Sequence, residues 1–481
     1  MSLVKVLVYF ILGTIPIFFA SVQPWVWSFY AFCIITGFIL FLWKLRVATN
    51  PTLSFGGIQL AVGTFFMISL LLCLPLPPEM ISLLSPERFQ KISISWRLTD
   101  SHRAWAPVSY TSQDSLAWWV FLLSLLLFFI IARELSKNKQ TLRTIVFIMV
   151  GIGLLESVYG LVQALTPSLG VLWVNYIEDY MGTARGTFIN RNNFAAFINM
   201  VWPLALGVTL ERYGKVNSVK ATLSSDRLNR HALMALGIIL LLLAVILTRS
   251  RAGILSAIVG FVTFIMMVRT KKNVARQIKA VLIGIMVLLC AYSVIVGVGP
   301  IMKRFSTLGS ESDFRWLIWS DSLSIVKNHP LGTGLRSYEN VFSVYNHSYL
   351  SDKRIVYAHN DYLQLLIETG WLGFLTLIGG FIFFIGKSLR LIRRLDPQKN
   401  SSRFFFAVGA FSGLMSTTFH SFFDFNLQIP ANCLYFVLLM AVLNISAAHD
   451  QKSHTRQSAS LDLIDYIRPA QISAPRNRLS S

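Results

Sequence analysis

The stretch AHNDYLQLLIETGWLGF, residues 358–374, places a histidine, an amide and two acids at the start of a run of apolar residues. A neutral imidazole can accept a proton from a hydroxyl group, which is the task of a general base. His359 is the candidate base, with Asn360 and Glu368 as possible members of the same site. Which substrates His359 could reach depends on the side of a membrane on which this segment begins.

Arginines form the second set of residues whose types suggest chemistry. Arg249 and Arg251 lie in the short turn TRSR, and Arg315 lies in DFRWLIWSDSLSIVKNHP. Arginine binds phosphate oxygens through two parallel N–H donors, so these residues are candidates for holding a diphosphate. Arg185 and Arg336 are possible further members. Diphosphate-binding arginines near a base suggest transfer of a group from a phosphorylated lipid.

Membrane helices are the elements that must position these residues. The 481-residue chain is 54% hydrophobic and 14% charged, which is outside the usual range of soluble domains. A crossing helix needs about 20 apolar residues, and the apolar runs predict about twelve such spans. They are Val6 to Val22, Trp25 to Trp43, Ile58 to Leu76, Leu116 to Ala132, Thr144 to Thr166, Phe194 to Leu210, Leu233 to Leu247, Ile254 to Val268, Ala280 to Val298, Tyr362 to Gly386, Phe404 to Phe422 and Ile429 to Ala447. The predicted fold class is therefore an all-α polytopic membrane protein.

The positions of Lys and Arg predict the orientation of these spans. None of the 43 basic residues lies within a span, and clusters such as 269–279 and 387–399 fall in loops that share the side of the N-terminus. Because short basic loops stay in the cytoplasm, both termini are predicted to be cytoplasmic. The net charge of +21 is spread over alternate loops, which indicates topology and anionic lipid contacts, and no nucleic-acid partner is expected.

This orientation assigns three long loops to the outer face, at residues 78–115, 167–192 and 299–361. Apolar residues at helical spacing around Arg315 predict an amphipathic helix on the membrane interface within the last loop. The polar, serine-rich segment 449–481 is predicted to be a disordered cytoplasmic tail. The predicted membrane domain is therefore residues 1–448.

Three stretches resemble the O-antigen ligase and polymerase superfamily of bacterial membrane glycosyltransferases, which act on undecaprenyl-diphosphate-linked glycans. They are AHNDYLQLLIETGWLGF, TRSRAG (248–253) and GTFINRNNFAAFINMVWPL (186–204). HSFFDFNLQIPANCLYF (420–436) resembles the closing segment of one branch. The similarity covers approximately residues 145–445.

The resemblance implies a GT-C-like, inverting glycosyltransferase that uses neither a metal nor another cofactor. In this chain it assigns the general base to His359 and the diphosphate-binding arginines to Arg315 and either Arg249 or Arg251. The implied donor is an undecaprenyl-diphosphate-linked glycan, and the implied acceptor is lipid A-core or another glycan. The implied location is the bacterial inner membrane, with chemistry at the periplasmic face. Ligase and polymerase remain alternatives, and the oligomeric state is left open.

Structural alternatives exist for the base and the arginines. His359 could cap the tenth predicted span, and Arg249 or Arg251 could reach lipid headgroups. Arg315 could form an ion pair with Asp313 or Glu311. For Arg185 and Arg336 we favour loop or headgroup contacts over catalysis.

The remaining polar candidates have alternatives of the same kind. Asn190, Asn193 and Asn360 precede helices and could be caps. Glu368, two turns into a span, could pair with a neighbour. Glu156 lies deep in the fifth span, where an acid is costly, so it is a functional candidate, although a pair with Gln163 is the structural interpretation we favour.

Two other functional classes fit less well. A transporter or flippase would show inverted repeats and charges near the bilayer midplane, whereas Glu156 is the one deep acid in this sequence. A metal-dependent GT-C enzyme would need acids in the first outer loop, and that loop, SVQP, has none. A membrane scaffold without catalytic activity is the weakest alternative.

Overall fold

The computed structural model describes residues 2–46, 57–98, 104–172, 174, 181–213, 225–269, 308–346 and 354–448. These residues are mostly helical, as predicted for a polytopic membrane protein. The predicted span Ala280 to Val298 and the predicted tail 449–481 lie outside the described residues.

The helices are named here in chain order. They are α1 (Ser2–Thr14), α2 (Pro24–Arg46), α3 (Gly57–Leu71), α4 (Pro78–Leu84), α5 (Pro86–Leu98), α6 (Ser112–Ser136), α7 (Lys139–Leu165), α8 (Arg191–Tyr213), α9 (Ser225–Leu247), α10 (Arg251–Arg269), α11 (Leu308–Asn328), α12 (Tyr338–Tyr345), α13 (Asp361–Arg394), α14 (Ser401–His420) and α15 (Pro430–Ala448). Two-residue strands β1 (Pro75–Leu76) and β2 (Ala106–Pro107) pair antiparallel.

Within the described part of the chain, seven helices are long and apolar enough to cross a membrane. They are α2, α6, α7, α8, α10, α13 and α15, and the apolar parts of α1, α3 and α9 are shorter. The first span is shorter than predicted because α1 ends at Thr14. Pro16 follows, and Phe19, Ala20 and Ser21 all have positive φ, so the helix does not continue to Val22.

Helix α8 forms the centre of the bundle. The apolar part of α8 is wholly buried inside the protein, and the helix packs against α9, α10 and α14. A Cβ atom on Gly409 of α14 would lie 2.7 Å from the Pro203 carbonyl oxygen of α8. A Cβ atom on Gly413 would lie 2.8 Å from that of Met200. Glycine therefore permits a close backbone approach, which is a common source of packing energy between membrane helices.

The two ends of the bundle carry different polar contacts. At one end, which we call the Glu211 end, Arg143 of α7 donates to both carboxylate oxygens of Glu211 at 2.9 and 2.8 Å. Ser402 at the start of α14 donates to the same buried carboxylate at 2.8 Å. At the opposite end, the His359 end, α8 begins, α14 ends and α13 begins. The turn between α9 and α10 also lies there, because the Leu247 carbonyl oxygen at the end of α9 accepts the N–H of Ala184, in the segment that leads into α8, at 3.0 Å.

A small helical unit lies at the His359 end. Its hydrophobic cluster contains Ile318, Ile325, Tyr338, Val341, Phe342, Tyr345, Ala358 and Ile367. Helix α11 confirms that the segment around Arg315 is helical, and its Trp316 and Leu323 side chains are exposed. The region 78–115, predicted as a loop, contains α4, α5 and β2. Strand β1 lies at the end of the predicted span Ile58 to Leu76, because helix α3 stops at Leu71.

Candidate active site

His359 lies immediately before α13 and has a left-handed backbone with φ 50°. The residue that caps the helix is its neighbour Asn360, whose side-chain oxygen accepts the N–H groups of Tyr362 and Leu363 at 3.0 and 3.1 Å. The cap predicted as an alternative for both residues therefore belongs to Asn360 alone. The His359 side chain stays 27% exposed, so its imidazole remains accessible.

Asp424 is the acid that joins the candidate base to a candidate arginine. Its Oδ1 atom lies 3.3 Å from Nδ1 of His359, and its Oδ2 atom lies 3.6 Å from Nη2 of Arg315. Asn192 donates to Oδ2 at 2.6 Å, and the Phe425 N–H donates to Oδ1 at 3.0 Å. Both oxygens of this fully buried carboxylate are thus occupied.

Burial would raise the pKa of the Asp424 carboxyl, but the hydrogen bond and charge of His359 and the charge of Arg315 hold it well below its usual range. Asp424 is therefore an anion at neutral pH. Sequence reasoning placed it in the stretch HSFFDFNLQIPANCLYF but did not select it. An acid within an otherwise apolar segment was the signal that could have identified it.

The segment that carries Asp424 is fixed to the start of α13. The Asp361 N–H donates to the Ser421 carbonyl oxygen at 2.9 Å, and the Asp361 carboxylate accepts the Leu427 N–H at 3.0 Å. On the other side, Trp319 of α11 donates its ring N–H to the Ala358 carbonyl oxygen at 2.9 Å. His359 is held between elements that are distant in sequence.

Arg315 reaches this site from α11. Its side chain is 29% exposed and pairs with Asp424, whereas the Asp313 and Glu311 side chains, predicted as possible partners, lie outside the described residues. The structure therefore brings together two of the predicted site residues, His359 and Arg315, through Asp424.

The TRSR turn lies at the same end of the bundle. Arg249 is half-buried with φ 54°, and Arg251 is the first residue of α10. Ser250 caps α10 by accepting the Gly253 N–H at 3.1 Å. The Gly253 carbonyl oxygen accepts from Asn199 of α8 at 2.9 Å, and α8 is also the helix that supplies Asn192 to Asp424.

Glu156 and Gln163 hold one loop rather than each other. The Glu156 carboxylate accepts the Thr187 N–H and hydroxyl, both at 2.8 Å. Gln163 donates to the Gly186 carbonyl oxygen at 2.9 Å and accepts the Arg185 N–H at 3.2 Å. Both side chains therefore position the segment that leads into α8, and Arg185 is buried in it.

The asparagines before α8 fix its first turn. Asn190 accepts the Asn192 N–H at 2.8 Å, which is a helix cap. Asn193 donates to the Asn426 side-chain oxygen at 3.2 Å, and its carbonyl oxygen accepts from Asn432 at 3.1 Å. These bonds join the start of α8 to the Asp424 segment.

A kink in α13 holds the glycine-rich turn of residues 331–338. Gly370 has φ 65° and ψ −177°, a conformation that other residues rarely adopt. The kink leaves the carbonyl oxygens of Ile367 and Glu368 free to accept the N–H groups of Thr333 and Gly334 at 3.0 and 2.9 Å. The pattern Glu-x-Gly is thus part of a backbone contact.

Glu368 and Arg336 lie on either side of this contact. The Glu368 side chain accepts from Gln364 at 3.0 Å, as expected for an acid paired with a neighbour. Arg336 is half-buried and stacks over the Trp118 ring of α6 at 4.7 Å. Among the described residues, no group of three or more His, Cys, Asp or Glu side chains could hold a metal ion.

No curated protein matches this chain. A family model described as O-antigen ligase matches residues 236–378, from within α9 to within α13. This range contains the two TRSR arginines, Arg315 and His359. Residues 236–378 are therefore similar to the O-antigen ligase family, and the predicted resemblance to the O-antigen ligase and polymerase superfamily is confirmed.

Proposed function

We propose that this protein transfers a glycan from undecaprenyl diphosphate to a hydroxyl group of a glycan acceptor at the periplasmic face of the inner membrane. The family match supports ligase-like or polymerase-like activity in general. The observation that carries the specific proposal is the buried Asp424 carboxylate, which contacts both His359 and Arg315.

His359 is the proposed general base. Because Nδ1 faces Asp424, this nitrogen carries the proton, and Nε2 is left to accept one. The acceptor hydroxyl gives its proton to Nε2, and its oxygen attacks the anomeric carbon of the donor glycan. The bond from that carbon to the diphosphate oxygen breaks with inversion, and undecaprenyl diphosphate leaves. Asp424 stabilises the imidazolium ion that forms.

Arg315, together with Arg249 or Arg251, is proposed to bind the diphosphate. A lipid diphosphate is already a good leaving group, so cationic side chains suffice to stabilise the charge that develops on it. Arg315 is suited to this role because Asp424 holds it near the base while its side chain remains partly exposed. The proposed mechanism needs no metal ion.

A reconstituted transfer assay tests this proposal. Purified protein in liposomes receives the lipid-linked glycan donor and a lipid A-core acceptor from the source bacterium, without an ion gradient. Consumption of donor with formation of the joined glycan supports a transferase. Movement of intact donor across the bilayer without joining would instead indicate a transporter.

Deletion of the gene distinguishes ligase from polymerase. A ligase defect removes all attached polymer from the cell surface and leaves long lipid-linked chains in the membrane. A polymerase defect leaves single repeat units attached to the acceptor. We propose ligase activity and expect the first result, because the family that matches residues 236–378 is described as O-antigen ligase.

A further inference from the structure

Arg336 holds its guanidinium against two aromatic rings. The Cζ atom lies 4.7 Å from the centroid of the Trp118 ring and 6.0 Å from that of the Tyr357 ring. Trp118 is buried, whereas Arg336 and Tyr357 are half-buried. Cation–π contacts fix a guanidinium without using its five N–H donors.

Those donors have no protein partner among the described residues. The charge of Glu368 interacts with Arg336, but the Glu368 carboxylate accepts from Gln364 and faces the backbone N–H groups of Arg336 and Tyr338. A second arginine of the same region behaves differently, because Arg354 forms an ion pair with Glu339. Within the part of the chain that the structure describes, the Arg336 fork is therefore held in place with its N–H donors unused.

The backbone that presents Arg336 is fixed and unusual. Arg336 has φ 62°, a left-handed conformation that is uncommon for residues other than glycine. The Leu335 carbonyl oxygen accepts from Ser115 of α6 at 2.6 Å, and the Thr333 carbonyl oxygen accepts the Tyr110 N–H at 2.9 Å. Outliers held by such contacts occur often at ligand-binding sites.

Aromatic contacts connect this position to the proposed base. The Tyr357 ring stacks on Phe425, with centroids 4.1 Å apart and planes 14° apart. The Phe425 and His359 rings meet in an edge-on arrangement, with centroids 5.0 Å apart. Arg336 is therefore two rings away from the imidazole.

The elements that hold Arg336 near His359 differ from those that hold the arginines of the proposed diphosphate site. The TRSR turn is bound to α8, and Arg315 is paired with Asp424. Arg336 packs on Trp118 of α6 and on Tyr357. Among the described residues it forms no hydrogen bond or ion pair with the TRSR turn or with Asp424. In the proposed mechanism the donor diphosphate occupies Arg315 and either Arg249 or Arg251. Arg336 is therefore available for the second substrate, the glycan acceptor.

We infer that Arg336 binds an anionic group, a phosphate or a carboxylate, on the glycan acceptor, next to the apolar face of Tyr357. A planar guanidinium binds either oxyanion through two parallel hydrogen bonds. The sugar that bears the anion lies against the Tyr357 ring and places its neighbour toward His359. This inference rests on the proposed transfer function.

The test combines a change in the protein with a change in the acceptor. Purified full-length protein in liposomes receives the natural lipid-linked donor and one of two acceptor preparations. One is untreated lipid A-core, and the other has lost its phosphates by hydrofluoric acid and its carboxylates by reduction. KM for the acceptor and kcat are measured for the wild-type protein, Arg336→Gln and the matched control Arg354→Gln.

We expect removal of the acidic groups to raise the acceptor KM of the wild-type protein about tenfold, the usual scale for a charge-assisted pair. Arg336→Gln should show this higher KM already with the untreated acceptor and should not respond further to the treatment. Arg354→Gln should keep the wild-type difference. A KM change in Arg336→Gln that is equal for both acceptors would overturn the inference.

Two further outcomes keep the inference separate from its alternatives. If removing acidic groups from the donor, and not from the acceptor, abolishes the effect of Arg336→Gln, the acceptor assignment is wrong. If wild-type protein joins neither acceptor to the donor, the proposed function itself fails. Should Arg336→Gln not insert, Arg336→Lys replaces it, and unchanged discrimination by Lys would contradict a role for the bidentate fork.

Discussion

Asp424 is the residue through which the polar groups of the site are connected. Its two oxygens accept from Asn192 and the Phe425 N–H and lie against His359 and Arg315. A carboxylate in this position sets the imidazole tautomer and favours the protonated ring that base catalysis creates. In the proposed mechanism Asp424 is thus a positioning residue, because it acts through His359.

Replacing Asp424 with Asn should preserve the shape of the site and remove its charge. We expect transfer to fall by about 10²- to 10⁴-fold, because the amide cannot stabilise the imidazolium ion and presents an N–H₂ group to His359 or Arg315. Acceptor KM should change little. The assay compares kcat across pH, and a variant with the wild-type rate and pH profile would rule out the positioning role.

Replacing His359 with Asn tests the base directly. Asn tolerates the left-handed backbone at this position, so the variant should fold and insert. Its amide cannot take a proton at neutral pH, and we expect transfer to fall by about 10²- to 10⁴-fold. His359→Ala is the companion variant. If activity follows only the amount of folded protein in both, the histidine is structural.

Replacing Arg315 with Lys keeps the positive charge but loses the bidentate fork. The Asp424 contact at 3.6 Å can survive this change, so folding should be little affected. We expect at least a tenfold loss in kcat/KM for the donor, since a point charge binds a diphosphate less specifically. Donor consumption at the wild-type rate in Arg315→Lys would show that the fork is dispensable.

Sequence patterns identify some of these residues and miss others for a physical reason. His359 could be predicted because a histidine before an apolar run is visible locally, and Arg315 because it lies on a recognisable amphipathic segment. Asp424 lies 65 residues from His359, and only tertiary packing places the two together. The same holds for Asn192, which resembles a simple helix cap.

At the scale of elements, apolar run lengths predict helices but not their interruptions. The segment Tyr362 to Gly386 was predicted as one continuous span, and α13 covers it. The kink at Gly370 packs against the turn of residues 331–338, which comes from a distant part of the chain. Apolarity alone also did not predict α4 and α5, because their sequences mix polar and apolar residues.

The kink predicts a clear difference between two glycines of α13. A Cβ atom at Gly370 would lie 2.3 Å from the Leu331 carbonyl carbon. The alanine would also have to keep a positive φ, which is unfavourable for residues other than glycine. We expect Gly370→Ala to destabilise the protein by about 2–5 kcal/mol. At Gly379 of the same helix, nothing lies within 4 Å of the added Cβ atom.

Thermal unfolding of the purified protein in detergent measures this difference. Gly370→Ala should lower the apparent Tm by several degrees and reduce the yield of folded protein. Gly379→Ala should match or slightly exceed the wild type, because alanine favours a helix over glycine. Equal Tm values for the two variants would show that the turn does not depend on the kink.

At the scale of the whole molecule, basic residues mark the end opposite the site. Arg143 lies at the Glu211 end, and the connection between α6 and α7 carries Lys137 and Lys139 there. Helix α13 reaches the same end with Lys387, Arg390, Arg393 and Arg394. Short basic connections stay in the cytoplasm, so we expect the Glu211 end to be cytoplasmic and the His359 end periplasmic.

Cysteine labelling in intact spheroplasts tests this orientation. In a variant without Cys33, Cys73, Cys290 and Cys433, a single cysteine is placed at Ser343 or at Lys139, both of which are exposed. A membrane-impermeant maleimide should label Ser343→Cys directly, because α12 belongs to the unit at the His359 end. Lys139→Cys should be labelled only after permeabilisation. The reverse pattern would place His359 in the cytoplasm, where a lipid-linked glycan already moved to the outer leaflet could not reach it.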